Sequence, residues 1–335
     1  MALFLTRGPV GHGAVKICFG AGTRRIVRLS YSGTFIAGFN SFIRGDLISA
    51  RLHFDKTSQL SPGHPELVDL MGFDPVVARH GFLALTLCCL GYLEQALVQS
   101  ARAMEEGRKL AHPPSLAMAF STTCRFHWLI QDIPAVSERS QALISLATEH
   151  AFPFWATQAN AYRGWLKVKN GHTQEGLSLA HQALRAYEVT QSGAWVPFLR
   201  ALLSKTYQEA GETASALSLW SEAESAMGSF GERWYEAELY RLKGDLLRSS
   251  HARDPNDCSD NEIAACFLEA MNVARRQNAR LWELRAATSL ARLWRNQGKR
   301  TEAHDLLAPI YGWFTEGFDT RDLKEAKALL EELVG

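Results

Sequence analysis

Cysteine is scarce in this chain: six among 335 residues, at positions 18, 88, 89, 124, 258 and 266. No Cys-x-x-Cys pair occurs, and the adjacent Cys88 and Cys89 offer neither a chelating spacing nor an easy disulfide. Reduced, mostly buried thiols in a cytoplasmic protein are expected. An excess of either charge is also missing, with 36 Lys and Arg against 35 Asp and Glu. A net charge of +1 argues against a nucleic-acid partner held by bulk electrostatics and against an acidic solvating tail. No apolar run reaches eighteen residues, and the run after Met1 is only Ala2-Leu3-Phe4-Leu5. Neither a bilayer span nor a signal-peptide core is expected, and no membrane partner.

Catalytic motifs are absent too. There is no Gly-x-x-x-x-Gly-Lys-Ser/Thr loop, no His-Glu-x-x-His and no Gly-x-Ser-x-Gly elbow. Gly11-x-Gly13 and Gly20-x-Gly22 stop short of a phosphate cradle, and His80, His127, His150, His172 and His181 lack chelate spacing. Glu105-Glu106 and Glu331-Glu332 are adjacent on helices and point different ways. The expectation is a non-catalytic chain with no cofactor and no metal.

What is present is periodic. Helical segments end in a glycine and restart at once around Gly91, Gly171, Gly211 and Gly298, where glycine accepts the left-handed turn that ends a helix. Seven residues before such a turn lies a small residue: Gly38, Ala84, Cys124, Gly164, Ser204, Gly244 and Ala291, spaced 46, 40, 40, 40, 40 and 47 apart. Twelve residues further lies a second series: Ala50, Ala96, Val136, Gly176, Ala216, Ala264 or Ala265, and Ala303. Small side chains at paired points let antiparallel helices approach closely. This register predicts an all-α, right-handed α-α superhelix of about six to seven helical hairpins.

The polar, Pro-containing stretch 249–261 reads as a loop inserted in one hairpin. Breaks between hairpins are read at His112–Ser115, Phe152–Trp155, Ser192–Trp195, Phe230–Trp234 and Asn278–Trp282. Trp155, Trp195, Trp234 and Trp282 recur at the following helix starts, as fillers of the junctions. Residues 35–318 are assigned to the array. Residues 319–335 are assigned to a terminal capping helix with a Leu323, Ala326, Leu330, Leu333 stripe. Residues 1–34 read as an irregular glycine-rich extension in which Ile26–Tyr31 looks like a strand. Because the array opens without an obvious polar cap, the chain reads as a piece of something longer.

Leu203, Ser204, Tyr207, Ala216, Trp220 and Ala223, and again Leu290, Ala291, Trp294 and Ala303, resemble the tetratricopeptide repeat in a long-period form with its proline displaced into loops. The phrases at 234–247, 284–294 and 306–320 are similar to the C-terminal helical repeats of large bacterial signalling proteins. Those proteins join a nucleotide-cyclase or DNA-binding domain to a predicted ATPase. The resemblance implies a regulatory module in such a signalling ATPase or cyclase, or a small-ligand sensor of an ATP-dependent transcription regulator. An ATP-binding or cyclase label inherited from full-length relatives is a further possibility.

In the tetratricopeptide arrangement the first helix of each hairpin lines a concave groove. Positions six and three before, and one, four and five after, the first small residue then face it. The candidate set is Arg125, Trp128, Trp165, Lys205, Glu238, Arg241, Asp245, Arg248, Arg285, Arg292 and Arg295, with apolar Leu85, Cys88 and Cys89 near the start. Arginine forks match carboxylates, so a protein or peptide partner with an acidic segment is the expected guest, recognised by shape and charge. The plainer alternative is that these Arg and Asp/Glu residues pair with one another across neighbouring helices.

Overall fold

The computed structural model describes residues 26–58, 68–69, 71–190 and 192–334. The paired glycines at 11, 13, 20 and 22, Cys18 and the Pro/Gly/His-rich connection at 61–65 lie outside them. Among the described residues there is no strand. The helices pair in order: α1 (Ile26–Ile43) with α2 (Leu47–Ser58), α3 (Pro75–Leu90) with α4 (Leu93–Lys109), and α5 (Pro113–Leu129) with α6 (Ile133–Glu149). Next come α7 (Pro153–Lys169) with α8 (Thr173–Val189) and α9 (Val196–Glu209) with α10 (Thr213–Phe230). The series closes with α11 (Glu236–His251) and α12 (Asp260–Arg276), α13 (Arg280–Asn296) and α14 (Arg300–Tyr311), and a single α15 (Arg321–Val334).

The small residues do what their register requires. A Cβ on Gly164 would lie 2.7 Å from the Ala180 Cβ and 2.8 Å from the Gly176 carbonyl oxygen, so α7 and α8 touch backbone to backbone. At the equivalent points the Ser204 hydroxyl donates to the Ala216 carbonyl at 2.7 Å, and the Cys124 thiol faces the Val136 carbonyl at 3.9 Å. The sixth hairpin departs from the register. Gly244 is filled by the Phe267 ring rather than by Ala264 or Ala265, which stay partly or fully exposed.

Three expectations about boundaries are corrected. Ile26–Tyr31 belongs to helix α1, not to a strand. Tyr31, Phe35, Gly38 and Phe42 form one buried stripe at helical spacing, and that packing overrides the β preference of Ile26 and Val27. The inserted loop is shorter than 249–261, because α11 runs to His251 and α12 starts at Asp260, capped by a reciprocal Ser259–Glu262 box. The breaks at His112–Ser115 and Phe152–Trp155 contain helix starts. Pro113 and Pro153 hold first helical positions, where a missing N–H costs nothing.

The array also curls back on itself, which nothing in its periodicity announced. The backbone N–H groups of Arg233 and Trp234 donate to the Ile43 carbonyl at 2.7 and 3.2 Å. Phe42 stacks on Trp234 with ring centres 5.0 Å apart. The N-terminus of α4 is capped by Glu316, which accepts from the Glu94 and Gln95 N–H groups. Helix α3 is buried from Val77 to Leu90; apart from Arg79 and His80, which meet each other at 2.8 Å, its sequence is as apolar as a helix buried nearly all round must be. The main core cluster therefore runs from Phe35 to Leu333, with two smaller ones beside it, around Trp220 and Leu246 and around Phe120 and Leu143. Leu85, Cys88 and Cys89 are fully buried in it rather than facing a groove, and burial pushes the Cys88 thiol up to about 12.

Candidate functional site

The first helices of the last five hairpins, together with α15, enclose a pocket of about 200 Å³. Its apolar wall comes from Trp128 on α5, Trp165 on α7, Tyr235 at the entrance to α11, and Leu242 and Leu284. Trp128 meets Trp165 edge-on at 6.3 Å, a geometry that aromatic quadrupoles favour, and Tyr235 at a tilt at 6.1 Å. The Trp165 indole is 5% exposed, and its Nε1 has no hydrogen-bond partner among the described residues.

Charged groups complete the lining: Lys169, Lys205 and Glu209 from α7 and α9, Glu238 and Arg241 from α11, Arg285 and Arg292 from α13, and Arg321, Asp322 and Glu325 from α15. The centre is an ion network. Arg241 grips Glu238 through Nε at 2.7 Å and Nη2 at 3.2 Å, and its Nη1 reaches Asp245. Arg285 grips Asp322 with Nε and Nη2 at 2.7 and 2.6 Å, reaches Glu238 at 3.3 Å and also donates to the Leu129 carbonyl. One guanidinium thus ties α5, α11, α13 and α15 together. Burial would raise the Glu238 carboxyl, but Arg241 and Arg285 outweigh it and hold that group low. Burial likewise opposes charge on Arg285, and Asp322 with Glu238 raise it instead.

The rim is built differently. Lys169 and Lys205 share the one carboxylate of Glu209, at 3.2 and 3.4 Å. Arg292 and Arg321 share the one carboxylate of Glu325, at 2.8 and 2.6 Å. Desolvation lowers the Lys205 ammonium, partly countered by Glu209.

Of the eleven groove residues read from the register, Trp128, Trp165, Lys205, Glu238, Arg241, Arg285 and Arg292 line the pocket, and four do not. Arg125 is buried behind the wall. Its guanidinium lies 3.7 Å over the Trp195 ring and 5.2 Å from the Phe198 ring and donates to Gln158 at 3.0 Å, so residues of α7 and of the entrance to α9 cover it. Asp245 turns to Arg241 and to the outward Arg248, while Arg295 leaves the pocket to pair with Glu332. The pairing of Arg with Asp and Glu across helices is thus real at the centre. Lys169 and Glu209 were within reach, since both sit five residues after a register position. Asp322 and Glu325 were not, because α15 was read as a plain cap.

Behind the pocket wall, the junction tryptophans Trp195, Trp234 and Trp282 are buried and Trp155 is half-buried. Trp195 sits at φ +69°, a left-handed conformation costly for a large side chain. Its N–H is held by the buried Glu232 carboxylate at 2.7 Å, whose other oxygen accepts from the Trp234 indole at 2.9 Å. Burial raises the Glu232 carboxyl to about 7, against the pull of those two donors and of Arg125.

No family model matches the chain, and no curated protein does. Solved structures do. The Rap conjugation gene regulator of plasmid pLS20, in complex with the Phr* peptide, aligns over 92% of this chain and 77% of that one, with TM-score 0.60 and 12% identity. This is a tetratricopeptide-like α-superhelix. A Rap protein complexed with competence and sporulation factor aligns over 91% and 77%, with TM-score 0.57 and 13% identity. NprR with its cognate peptide NprX aligns over 92% and 84%, with TM-score 0.54 and 11% identity. At such identities the likeness is one of fold. Among the described residues no group of His, Cys, Asp and Glu is arranged to hold a metal, and no helix is long and apolar enough to cross a membrane.

Proposed function

We propose that this chain is a peptide-binding regulatory module without catalytic chemistry, and that the axial pocket is its binding site. The observation that carries the reading is the pocket itself. Five consecutive first helices and α15 converge on an aromatic wall with a ring of charges above it, the concave and partly apolar arrangement that recognition sites share. The peptide complexes among the structures of like fold support the same reading. The resemblance of residues 234–247, 284–294 and 306–320 to the repeats of signalling ATPases and cyclases supports a regulatory role within a bacterial signalling protein.

Selection from a randomised hexapeptide display library tests the reading. Enrichment that disappears on Ile133→Trp, which places a large ring at the pocket mouth, supports it. No enrichment above background overturns it. A small-effector sensor is the second reading, favoured by an enclosed volume of about 200 Å³, which is too small for a whole peptide. Its signature is a thermal shift with nucleotides or sugars and none with peptides.

A further inference from the structure

The rim and the centre of the pocket differ in charge balance, and the difference specifies the guest. Among the lining residues at the centre, Arg241 and Arg285 face Glu238 and Asp322, two against two, while Asp245 behind them is shared by Arg241 and the outward Arg248. At the rim, two lysines share Glu209 on one side of α11 and two arginines share Glu325 on the other. Each rim cluster therefore carries one uncompensated positive charge, with N–H donors to spare: an ammonium has three and a guanidinium five. Between the clusters stands the aromatic wall, enclosing room for one large side chain rather than for a whole peptide.

We propose that the peptide taken by this site is acidic: two carboxylates, one for the Lys169–Lys205 pair and one for the Arg292–Arg321 pair, around a bulky apolar side chain inserted against Trp128, Trp165 and Tyr235. The inference rests on the peptide-binding reading above. A basic guest meets the opposite situation. Glu209 and Glu325 are already doubly engaged and the central acids are matched, so an incoming cation finds excess positive charge and no free carboxylate. The orphan Trp165 Nε1 adds a donor in the wall, suited to a peptide carbonyl, since a buried donor left unpaired is unfavourable. A carboxylate at a rim cluster can come from an Asp or Glu side chain or from the peptide C-terminus.

The hexapeptide selection decides the matter through the composition of what it enriches. The account expects sequences with two acidic positions around Phe, Trp, Tyr or Leu. Their affinity should fall at least fivefold on replacing either acid by its amide and at least fivefold on Lys205→Met or Arg292→Met. It should also weaken as salt rises. Both variants sit on the half-exposed rim, and an unchanged thermal melt shows that they are folded. Amidating the C-terminus separates the two sources of carboxylate: a loss confined to amidation assigns one cluster to the terminus. Enrichment of neutral or basic peptides that still compete for the pocket overturns the acidic assignment and leaves the peptide reading standing. No enrichment at all overturns both. ATP binding tighter than any peptide, with the same dependence on Lys205 and Arg292, reassigns the rim to a nucleotide and overturns the proposal.

Discussion

Gly164 and Gly176 are where the repeat register meets its strictest demand. A side chain at either would have to displace the facing backbone. Gly164→Ala is expected to lower the unfolding free energy by about 2 kcal/mol, read by urea denaturation, because overpacking outweighs the helix propensity that alanine gains. Glu232 makes a different prediction. Its folded carboxyl titrates near 7, above its unfolded value of 4.5, so the native state binds the proton more tightly. The stability this confers is fully present below about pH 4.5 and is lost as pH rises through 7. The buried His80, lowered to about 4 by desolvation and by Arg79, acts in the opposite sense, adding stability as pH rises from 4 through 6.5. Between about pH 4.5 and 7 the wild type should therefore lose stability that Glu232→Gln does not, read as the difference between the two denaturation profiles, in which His80 is common to both. A slope unchanged in that variant would assign the decline elsewhere. Glu232 was not singled out in the sequence, since nothing in Phe230-Gly231-Glu232 marks a carboxylate that accepts from a residue 37 positions away.

At the scale of helices, α15 is more than a lid on the last hairpin. Leu323, Ala326, Leu329 and Leu333 bury its apolar face, one residue away from the stripe read with Leu330. Its acids meanwhile reach Arg285, Arg292 and Arg295 on α13. Asp322→Ala leaves the largely buried Arg285 without its bidentate partner. A destabilisation of about 3 kcal/mol is expected from a broken buried pair, visible as a lowered denaturation midpoint, with Lys324→Ala on the exposed side as the silent control. Within hairpins the sequence was easy to read, because close helix contact admits few side chains and leaves a mark every forty residues. It was also readable at Ser259-x-x-Glu262, a capping box seen only as part of a loop. Between distant elements it was opaque. The Leu129–Arg285 and Glu94–Glu316 contacts join residues 156 and 222 apart, and no periodicity records them.

The whole molecule is a superhelix tight enough for its first hairpin to abut its sixth and for Glu316 to cap α4. That curl converts the open groove expected of the repeat into an enclosed pocket. Arg125, correctly placed on an inner helix, ends buried beneath Trp195. The claim on which the functional reading depends is that ligand meets the axial face. Hydrogen–deuterium exchange of the full chain, with and without a peptide enriched by the selection, tests this most directly. The account predicts added protection in the end of α5, in α7, α9, α11 and α13 and at the start of α15, with α8, α10 and α12 unchanged. Protection confined to those outer helices, or to the exposed face of α2, would contradict it.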